Sequence, residues 1–595
     1  MLMCGIIARI GTDDAVPSLL SGLSNLEYRG YDSAGIALLN GHGLEVLKRE
    51  GEIDRLLERV SRRAPSAETG IGHTRWSTHG PPTDVNAHPH TDCTGTLAVV
   101  HNGIIENHDA LRARLEAAGH GFESDTDTEV IPHLIEEHLS AGRSTEEAFH
   151  AAIDELSGSY AIAMVHEDEQ AIYAARNGSP MVLGIAEDAL FVASDVPAFL
   201  EFTDRVVYLE DGHAVRATSE EYTITDGDGV VHRPVRTVDW TAEAAEKGGY
   251  DHYMRKEIHE QPTALRQILE CHSSGEGLPD LDSAFLDGIR EVQFVACGTS
   301  YHAALYGEYV ATERGIPAST HLASEYATHA RPVSEGTLVV AVTQSGETAD
   351  TLGAIETAQR ADARTLAVTN VVGSSAARVC DGALYIRAGP EIGVAATKTF
   401  SSQVVALSLF ADQLAGEDSP SGPVDFGSLP GGVERVLETS RSRDIAERYR
   451  GRDAFFFIGR GVGYPVALEG ALKFKEISYE HAEGFAAGEL KHGPLALVTP
   501  ASVVFAIFTG QDDEKLLGNV REAQTRGATV VAVTDGTNEE VLRQADDILS
   551  IPEAPPTVAG LLANVQLQLV SYHAAALLGR PIDKPRNLAK SVTVE

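Results

Sequence analysis

Cysteine is scarce and scattered in this 595-residue chain: five residues, Cys4, Cys93, Cys271, Cys297 and Cys380, with no C-x-x-C pair. That spacing argues against a zinc cage and against a disulfide framework. Lysine is rarer still for the length, at ten residues, so arginine supplies most of the 47 basic side chains against 87 acidic ones. The formal net charge of −40 disfavours nucleic acid as a partner, because a phosphate backbone demands the opposite sign. No apolar run is long enough to span a bilayer. No basic stretch leads into an apolar one as a secretory signal would. The expectation is a cytoplasmic protein with no membrane partner. What remains is ordinary for a globular chain, 43% hydrophobic and 23% charged, with length for three or four domains. The acids are dispersed rather than gathered in a tail. A dispersed, lysine-poor acidic surface suits concentrated salt, where self-repulsion is screened, and predicts a halophilic source.

The chemistry begins at Cys4-Gly5-Ile6. A cysteine that becomes the first residue of a mature chain carries a thiol and a free α-amine together. The amine, with an ordinary pKa of about 7.7–8.0, takes the thiol's proton directly or through a water, and the thiolate is the reactive form. The competing reading is a small buried apolar residue near a first strand. Met1-Leu2 precede Met3 here. Translation from Met3 followed by methionine removal is the expectation that frees the Cys4 amine.

Residues 4 to about 240 alternate short strand-like runs (35–39, 97–100, 160–165, 191–194) with helical periodicity over 109–118 and 128–139, an α+β pattern. Between them lie polar stretches: EYRGYDSAG from Glu27, GHTRWSTHG from Gly72, NAHPH from Asn86, HNGIIENH from His101, where a strand ends in Asn-Gly, and SDTDTEV from Ser124, which reads as a helix start. These residue types can build an amide-hydrolysis site. The Asn102 side chain and Gly103 N–H suit an oxyanion hole. Arg75 suits an α-carboxylate bidentately, and Asp127 an α-ammonium. Each has another reading: Asn102-Gly103 as a tight turn, Arg75 as a surface ion pair, Asp127 as a helix cap.

Taken in order, these motifs resemble the glutaminase domain of class II (N-terminal-nucleophile) glutamine amidotransferases, in particular the glucosamine-6-phosphate synthase family. The resemblance implies a four-layer α-β-β-α sandwich, Cys4 as nucleophile, Asn102 and Gly103 as oxyanion hole, and Arg75 and Asp127 as glutamine-binding residues. It also implies Trp76 as a gate for released ammonia, and Thr78 and His79 in a substrate-binding loop.

From about 241 to 286 the pattern changes. Residues 250–262 read as a short helix ended by Pro262, followed by a loop at 273–277. Beyond it the chain repeats itself. A strand running into Gly298-Thr299-Ser300 is echoed by Phe455–Ile458 running into Gly459-Arg460-Gly461. Leu338–Val342 leads into Thr343-Gln344-Ser345-Gly346-Glu347-Thr348, and Val503–Ile507 into a Thr-Gly-Gln turn. Near-continuous apolar strands alternating with helices predict two doubly wound α/β domains with parallel sheets. Ligands in such sheets bind at the carboxyl ends of strands. The hydroxyls and N–H groups at Gly298, Thr299 and Ser300, and at Thr343, Gln344, Ser345 and Thr348, then make a phosphate cradle without lysine. The second copy lacks that cluster. Its functional groups are instead dense over 469–479 and 488–494, with a tail at 587–595. Half of the ten lysines (Lys398, Lys473, Lys475, Lys491, Lys590) fall in these stretches, which suggests amine or point-charge chemistry arginine cannot replace. For Lys473 a helix ion pair with Glu469 weighs equally.

Each copy resembles a sugar isomerase (SIS) domain, and the glucosamine-6-phosphate synthase resemblance now extends over essentially the whole chain. It implies conversion of fructose 6-phosphate and glutamine to glucosamine 6-phosphate and glutamate, the first step of hexosamine and UDP-N-acetylglucosamine synthesis. Ammonia freed at Cys4 would pass internally to the sugar. Lys590 would be the Schiff base to the C2 ketone, Glu476 the base between C1 and C2, His492 an aid to ring opening reaching in from a partner subunit, and Lys473 a stabiliser of the enolate-like intermediate. Ser300, Gln344, Ser345, Thr348 and Val394 match sugar-contacting positions. Thr343 and Ala396 depart from the residues familiar there, which predicts altered contacts and the same reaction. No metal or cofactor is implied, and a homodimer is expected. The domain reading is 4–240 glutaminase, 241–286 linker and start of the sugar half, 287–425 and 450–585 SIS domains, and 586–595 a catalytic tail.

Three other readings compete. Another class II amidotransferase of the phosphoribosylamine-forming type should carry a pyrophosphate-binding motif, which is not found. A SIS-domain regulator would need neither Cys4 nor a tail lysine. A deaminase running the sugar half alone leaves the Cys4 half unexplained. From composition alone, the melting temperature should rise by several degrees between dilute and near-saturated KCl. An unchanged melting curve would remove the halophilic reading.

Overall fold

The computed structural model describes residues 4–77, 79–227, 229–238, 247–272, 278, 280–281, 283–329, 331–416 and 419–592. The chain divides into two compact units, Met1–Ala245 with Ala589–Glu595, and Glu246–Leu588.

Strand alternation builds the first unit. Gly5–Gly11 lies in an eight-stranded sheet between Ala189–Ala193 and Thr69–Arg75, antiparallel to both. A seven-stranded sheet contains Leu97–Ile105, Gly158–His166 and Glu169–Asn177, again antiparallel. In a strand, successive side chains point to opposite faces. Accordingly Ala98 and Val100 pack with Ile6, Ala8 and Ile71 of the other sheet. Leu97 and Val99 pack outward against Leu111, Leu115, Val130 and Leu134 of the helices His108–Ala118 and Val130–Ser140. Val16–Asn25 and Ile53–Arg63 cover the outer face of the eight-stranded sheet. The result is the four-layer α-β-β-α sandwich. The helix Thr145–Asp154 opens on a capping box between Ser144 and Glu147, the reciprocal arrangement that satisfies two orphan N–H groups.

The second unit holds two five-stranded parallel sheets with the same strand order, second–first–third–fourth–fifth. The first is built from Glu291–Ala296, Ala318–Leu322, Thr337–Val342, Arg364–Thr369 and Gly382–Tyr385. Its counterpart is Ala454–Gly459, Ala482–Ala486, Ser502–Ile507, Thr529–Thr534 and Asp547–Ser550. In this order a crevice opens beyond the carboxyl ends of the first and third strands. One hydrophobic core spans both repeats, joining Phe294 and Val340 to Phe457 and Phe505. The helix Pro556–Leu577 runs through it, buried on nearly every side, as a helix apolar all round requires. Among the described residues no helix is long and apolar enough to cross a membrane.

Two local expectations are corrected. Pro262 does not end its helix, which runs from Tyr253 to His272. Proline removes the N–H that would bond the carbonyl four residues back. Here the Gln261 side chain replaces it, with Nε2 donating to Ile258 O at 3.1 Å. Nor does the strand at 97 end in Asn-Gly: Leu97–Ile105 continues through Asn102 and Gly103. The loop expected at 273–277 lies outside the described residues. Gln261 also donates to Gln568 Oε1 (2.8 Å) and accepts from Ser401 Oγ (2.6 Å), fully buried. Gln261→Ala should therefore destabilise the second unit by about 2–4 kcal/mol, since several buried groups lose partners at once. Hydrogen exchange of the 253–272 amides would report it, and unchanged protection would contradict it.

Candidate active sites

The Gly5–Gly11 strand begins beside Thr69–Arg75 in register Gly5–Thr74, which sets Cys4 against Trp76. The thiol is 7% exposed. Its Sγ accepts the Trp76 N–H at 3.2 Å and lies 3.6 Å from Trp76 O. Burial pushes the Cys4 pKa up to about 11, against the lowering effect of that N–H and of Arg75. Asn102 Nδ2 donates to Cys4 O at 2.8 Å. Its orientation is set from behind by His73, whose Nε2 lies 3.1 Å from Asn102 Oδ1 and 3.0 Å from His101 O. Both oxygens only accept, so Nε2 carries the proton. Burial holds the His73 pKa down to about 3, and the ring stacks on His88 with centroids 4.0 Å apart. Nothing in the sequence marked this orienting histidine beyond its place in the GHTRWSTHG run.

Gly103 has φ +134°, and a Cβ there would fall 1.9 Å from Ser159 O. Only glycine fits both demands. The tight-turn reading is thereby replaced by a strand interior held open for close approach. Arg75 is buried at 3% exposure and not a surface ion pair. Its guanidinium donates to the carbonyls of His79, Gly80 (3.2 Å) and Pro81 (3.4 Å), drawing that loop over the cleft. Asp127 is no helix cap either, since Glu129 occupies the N-cap of Val130–Ser140. Asp127 Oδ2 accepts the Ile105 N–H at 2.9 Å, and Oδ1 lies 3.7 Å from His79 Nδ1. Cys4, Arg75, Trp76, Gly103 and Asp127 line one cleft. The Trp76 indole meets Tyr31 edge-on at 5.0 Å. Thr78 lies outside the described residues.

In the second unit, Gly298–Glu313 starts its helix at the end of the first strand, and Ala349–Arg360 starts after Thr348. The Thr343–Thr348 turn is organised by its own hydroxyls: the Gly346 N–H donates to Thr343 Oγ1 (3.2 Å), and the Glu347 N–H to Ser345 Oγ (3.2 Å). Gln344 O accepts from the Asn370 N–H. Ser300 Oγ accepts from Gln403 Nε2 at 3.0 Å, and the Val394 N–H donates to Asp583 O. Hydroxyls and helix N-termini thus flank the crevice of the first sheet, where an anion is favoured.

The charged groups come from Gly463–Ser478 of the second repeat. Lys473 is buried, with Nζ 2.5 Å from Glu476 Oε2 and 3.6 Å from Glu469 Oε1. The ion pair with Glu469 is thus present, and it is one arm of a larger network. Glu469, fully buried, also accepts from Thr299 Oγ1 at 3.1 Å and lies 2.8 Å from His302 Nδ1, both on the first repeat. Glu469 was expected only as a helix partner of Lys473, and His302 was not singled out in the sequence. Burial opposes the Lys473 charge, but Glu476 and Glu469 hold its pKa above the ordinary lysine value. Burial raises the Glu476 carboxyl, with Lys473 pulling the other way. His492 closes the 3₁₀ turn Ala487–His492 and is exposed. Lys590 falls with the first unit, in Ala589–Glu595, rather than with the lysines of the second. Among the described residues neither cluster contains a metal-ligating set.

A glutamine amidotransferase domain model matches residues 73–201, and a SIS domain model matches 286–412 and 449–578. Over its full length the chain is 51% identical to a Halobacterium salinarum protein, which it also covers entirely, and 47% identical to proteins of Thermococcus kodakarensis and Thermus thermophilus covered likewise. All three are named glutamine–fructose-6-phosphate aminotransferase (isomerizing). Among solved structures it is similar to the C-terminal domain of glucosamine-fructose-6-phosphate aminotransferase from Francisella tularensis. That match has a TM-score of 0.52 and 34% identity, over 57% of this chain and all of the other.

Removing the buried cation would leave Glu469 and Glu476 facing each other. Lys473→Met should therefore cost about 3–5 kcal/mol of stability. The deficit should shrink as pH falls, because a carboxyl raised by burial, as that of Glu476 is, takes up a proton and favours the folded state. Denaturation at two pH values checks this, and a deficit independent of pH would contradict the charge argument.

Proposed function

This chain belongs to the isomerising glutamine–fructose-6-phosphate aminotransferases, and on that premise we propose how its side chains divide the work. The enzyme makes glucosamine 6-phosphate and glutamate from fructose 6-phosphate and glutamine. The observation that carries the assignment of roles is the single cleft that brings together Cys4, Arg75, Gly103 and Asp127, in a chain matched end to end by its relatives.

Cys4 attacks the side-chain amide of glutamine. Its thiol, at about 11, is protonated at neutral pH, so the base is the Cys4 α-amine freed by removal of the residues before it. Asn102 Nδ2 and the Gly103 N–H receive the oxyanion. Because His73 holds Asn102 Oδ1, the amide is already turned with Nδ2 toward the nucleophile's residue. Arg75 and Asp127 take the α-carboxylate and α-ammonium, with His79 on the loop Arg75 tethers and Trp76 at the cleft's edge.

In the sugar half, Gly298, Thr299, Ser300, Thr343, Gln344, Ser345 and Thr348 hold the phosphosugar, with Val394 nearby in contact. Lys590 condenses with the C2 ketone, Glu476 moves a proton between C1 and C2, and Lys473 stabilises the negative charge that develops. A carboxyl raised by burial is poised to give its proton back as well as take it. His492, exposed on its own subunit, assists ring opening in a neighbouring copy. That makes a homodimer the working unit, which we place in the cytoplasm.

The two halves can be tested separately. Cys4→Ala should abolish glutamate release from glutamine while leaving fructose 6-phosphate to glucose 6-phosphate interconversion intact. Glu476→Gln should do the reverse, lowering the sugar reaction about 10²–10⁴-fold. Glutamate release should rise with pH through about 7.7–8.0, the range of an α-amine, and not near the buried thiol's own value. Loss of both reactions in both variants, or a pH limb near 11, would overturn the assignment.

A further inference from the structure

Four metal-ligating side chains gather in the first unit outside the amide cleft: Cys93, His120, His133 and Glu136, with one donor atom of each within 4.8 Å of the others. We propose that they form a structural zinc site.

The spacing of the donors carries this. Zinc with a thiolate at about 2.3 Å and nitrogen or oxygen ligands at about 2.0–2.2 Å sets the edges of its tetrahedron at about 3.5 Å from sulfur to nitrogen and about 3.3 Å from nitrogen to oxygen. Cys93 Sγ lies 3.7 Å from His120 Nδ1 and 3.5 Å from His133 Nδ1. Glu136 Oε2 lies 2.9 Å from His120 Nδ1 and 3.2 Å from His133 Nδ1. Both imidazoles present the same nitrogen to one point, as does one oxygen of the carboxylate.

Hydrogen bonding alone accounts for less. It would use Nδ1–H of both rings on a single carboxylate oxygen. It would also leave His133 Nε2, in a ring 1% exposed, with no hydrogen-bond partner among the described residues. With zinc on Nδ1 the proton sits on Nε2, which faces Glu129 Oε1 at 3.9 Å. A carboxylate behind a ligating histidine is the usual outer support of such a site. Glu129 is itself fixed by the Glu123 and Ser124 N–H groups.

The local structure presents the ligands in advance. Cys93 sits in a turn pinned by Asp92, which accepts from the Thr96 and Leu97 N–H groups. The Gly121 N–H points at Cys93 Sγ from 3.4 Å, and the Cys93 N–H at Glu136 Oε2 from 3.2 Å. His133 and Glu136, three residues apart on Val130–Ser140, share a helix face. A thiolate with two imidazoles selects zinc over magnesium or calcium. Four protein donors leave no open position, which marks a structural ion and not a catalytic one. Cys93 is exposed, giving the ion a way in. The ion would tie three separate segments together just beyond the turn that carries Asp127. The expectation of no zinc cage rested on short cysteine spacings. These ligands are far apart in sequence, and three of the four are not cysteine.

The test uses the full chain, stripped with a chelator, incubated with one equivalent of Zn²⁺ or Co²⁺ and desalted. Wild type should retain about one metal per chain, and the cobalt form should show a thiolate-to-cobalt charge-transfer band. Cys93→Ala, at an exposed position, should fold normally, lose the band and retain at least tenfold less metal. His120→Ala should likewise lose the metal. Chelator should lower the wild-type melting temperature and leave that of C93A unchanged. Wild type that retains no metal, or a C93A variant that retains as much as wild type, overturns the proposal.

Discussion

The second unit depends on one buried cation. Lys473 lies between Glu476 and Glu469, and Glu469 in turn takes Thr299 and His302 from the other repeat. Charges removed from water are costly unless geometry and additional hydrogen bonds offset the loss. The network is therefore tolerable only when the helices Gly298–Glu313 and Gly463–Ser478 keep their mutual position. Close packing seats both helices on Pro556–Leu577: a Cβ on Gly470 would meet Leu567 at 2.5 Å, and a Cβ on Gly560 would meet Tyr306 at 2.5 Å. The electrostatic and steric demands agree. What they hold in place is the start of the helix Gly298–Glu313, which carries Thr299 and Ser300.

The two repeats share a strand order but not a task. The first puts hydroxyls and N–H groups at its strand ends, at Ser300 and along Thr343–Thr348. The second puts carboxylates and an ammonium on the helix that follows its first strand. An anion is best received by dipoles, which stay fixed as chemistry proceeds. A proton transfer needs groups whose charge can change. On the proposed roles the two jobs fall to different copies, and the Thr299–Glu469 hydrogen bond is where they meet.

Patterns set by local periodicity were legible in the sequence: the α+β character of the first unit from alternating strands and helices, and the duplicated parallel sheets from apolar runs spaced alike; the sandwich itself was implied only by the resemblance of the motifs. What was not legible depends on partners distant in sequence. Pro262 reads as a helix end because nothing local shows that Gln261 will supply the missing donor to Ile258. Asn102-Gly103 reads as a turn because the crowding by Ser159 that demands a glycine comes from a neighbouring strand. His302 carries no signal of its own, and Glu469 reads only as a helix partner of Lys473. Their meeting, 2.8 Å apart, is what joins the two repeats. Cys4, Arg75 and Asp127 were nameable as candidates, but the competing readings of Arg75 as a surface ion pair and of Asp127 as a helix cap fell only once burial and partners were known.

The amide half turns on where a base can come from. With burial pushing the Cys4 thiol up to about 11, the neutral thiol is the form held at pH 7. Trp76 N–H and Arg75 beside it can only donate. The neighbouring buried histidines are poor acceptors, His73 at about 3 and His88 and His101 also lowered by burial. His73 is moreover committed, since its Nε2–H holds Asn102 in the orientation an oxyanion hole requires. The same burial that makes the cleft a favourable place for oxyanion stabilisation thus disables every side-chain base just named. A base carried by the nucleophile's own residue escapes that conflict, because it needs no further buried ionisable group. On the roles proposed above, that is what a free α-amine on Cys4 would supply.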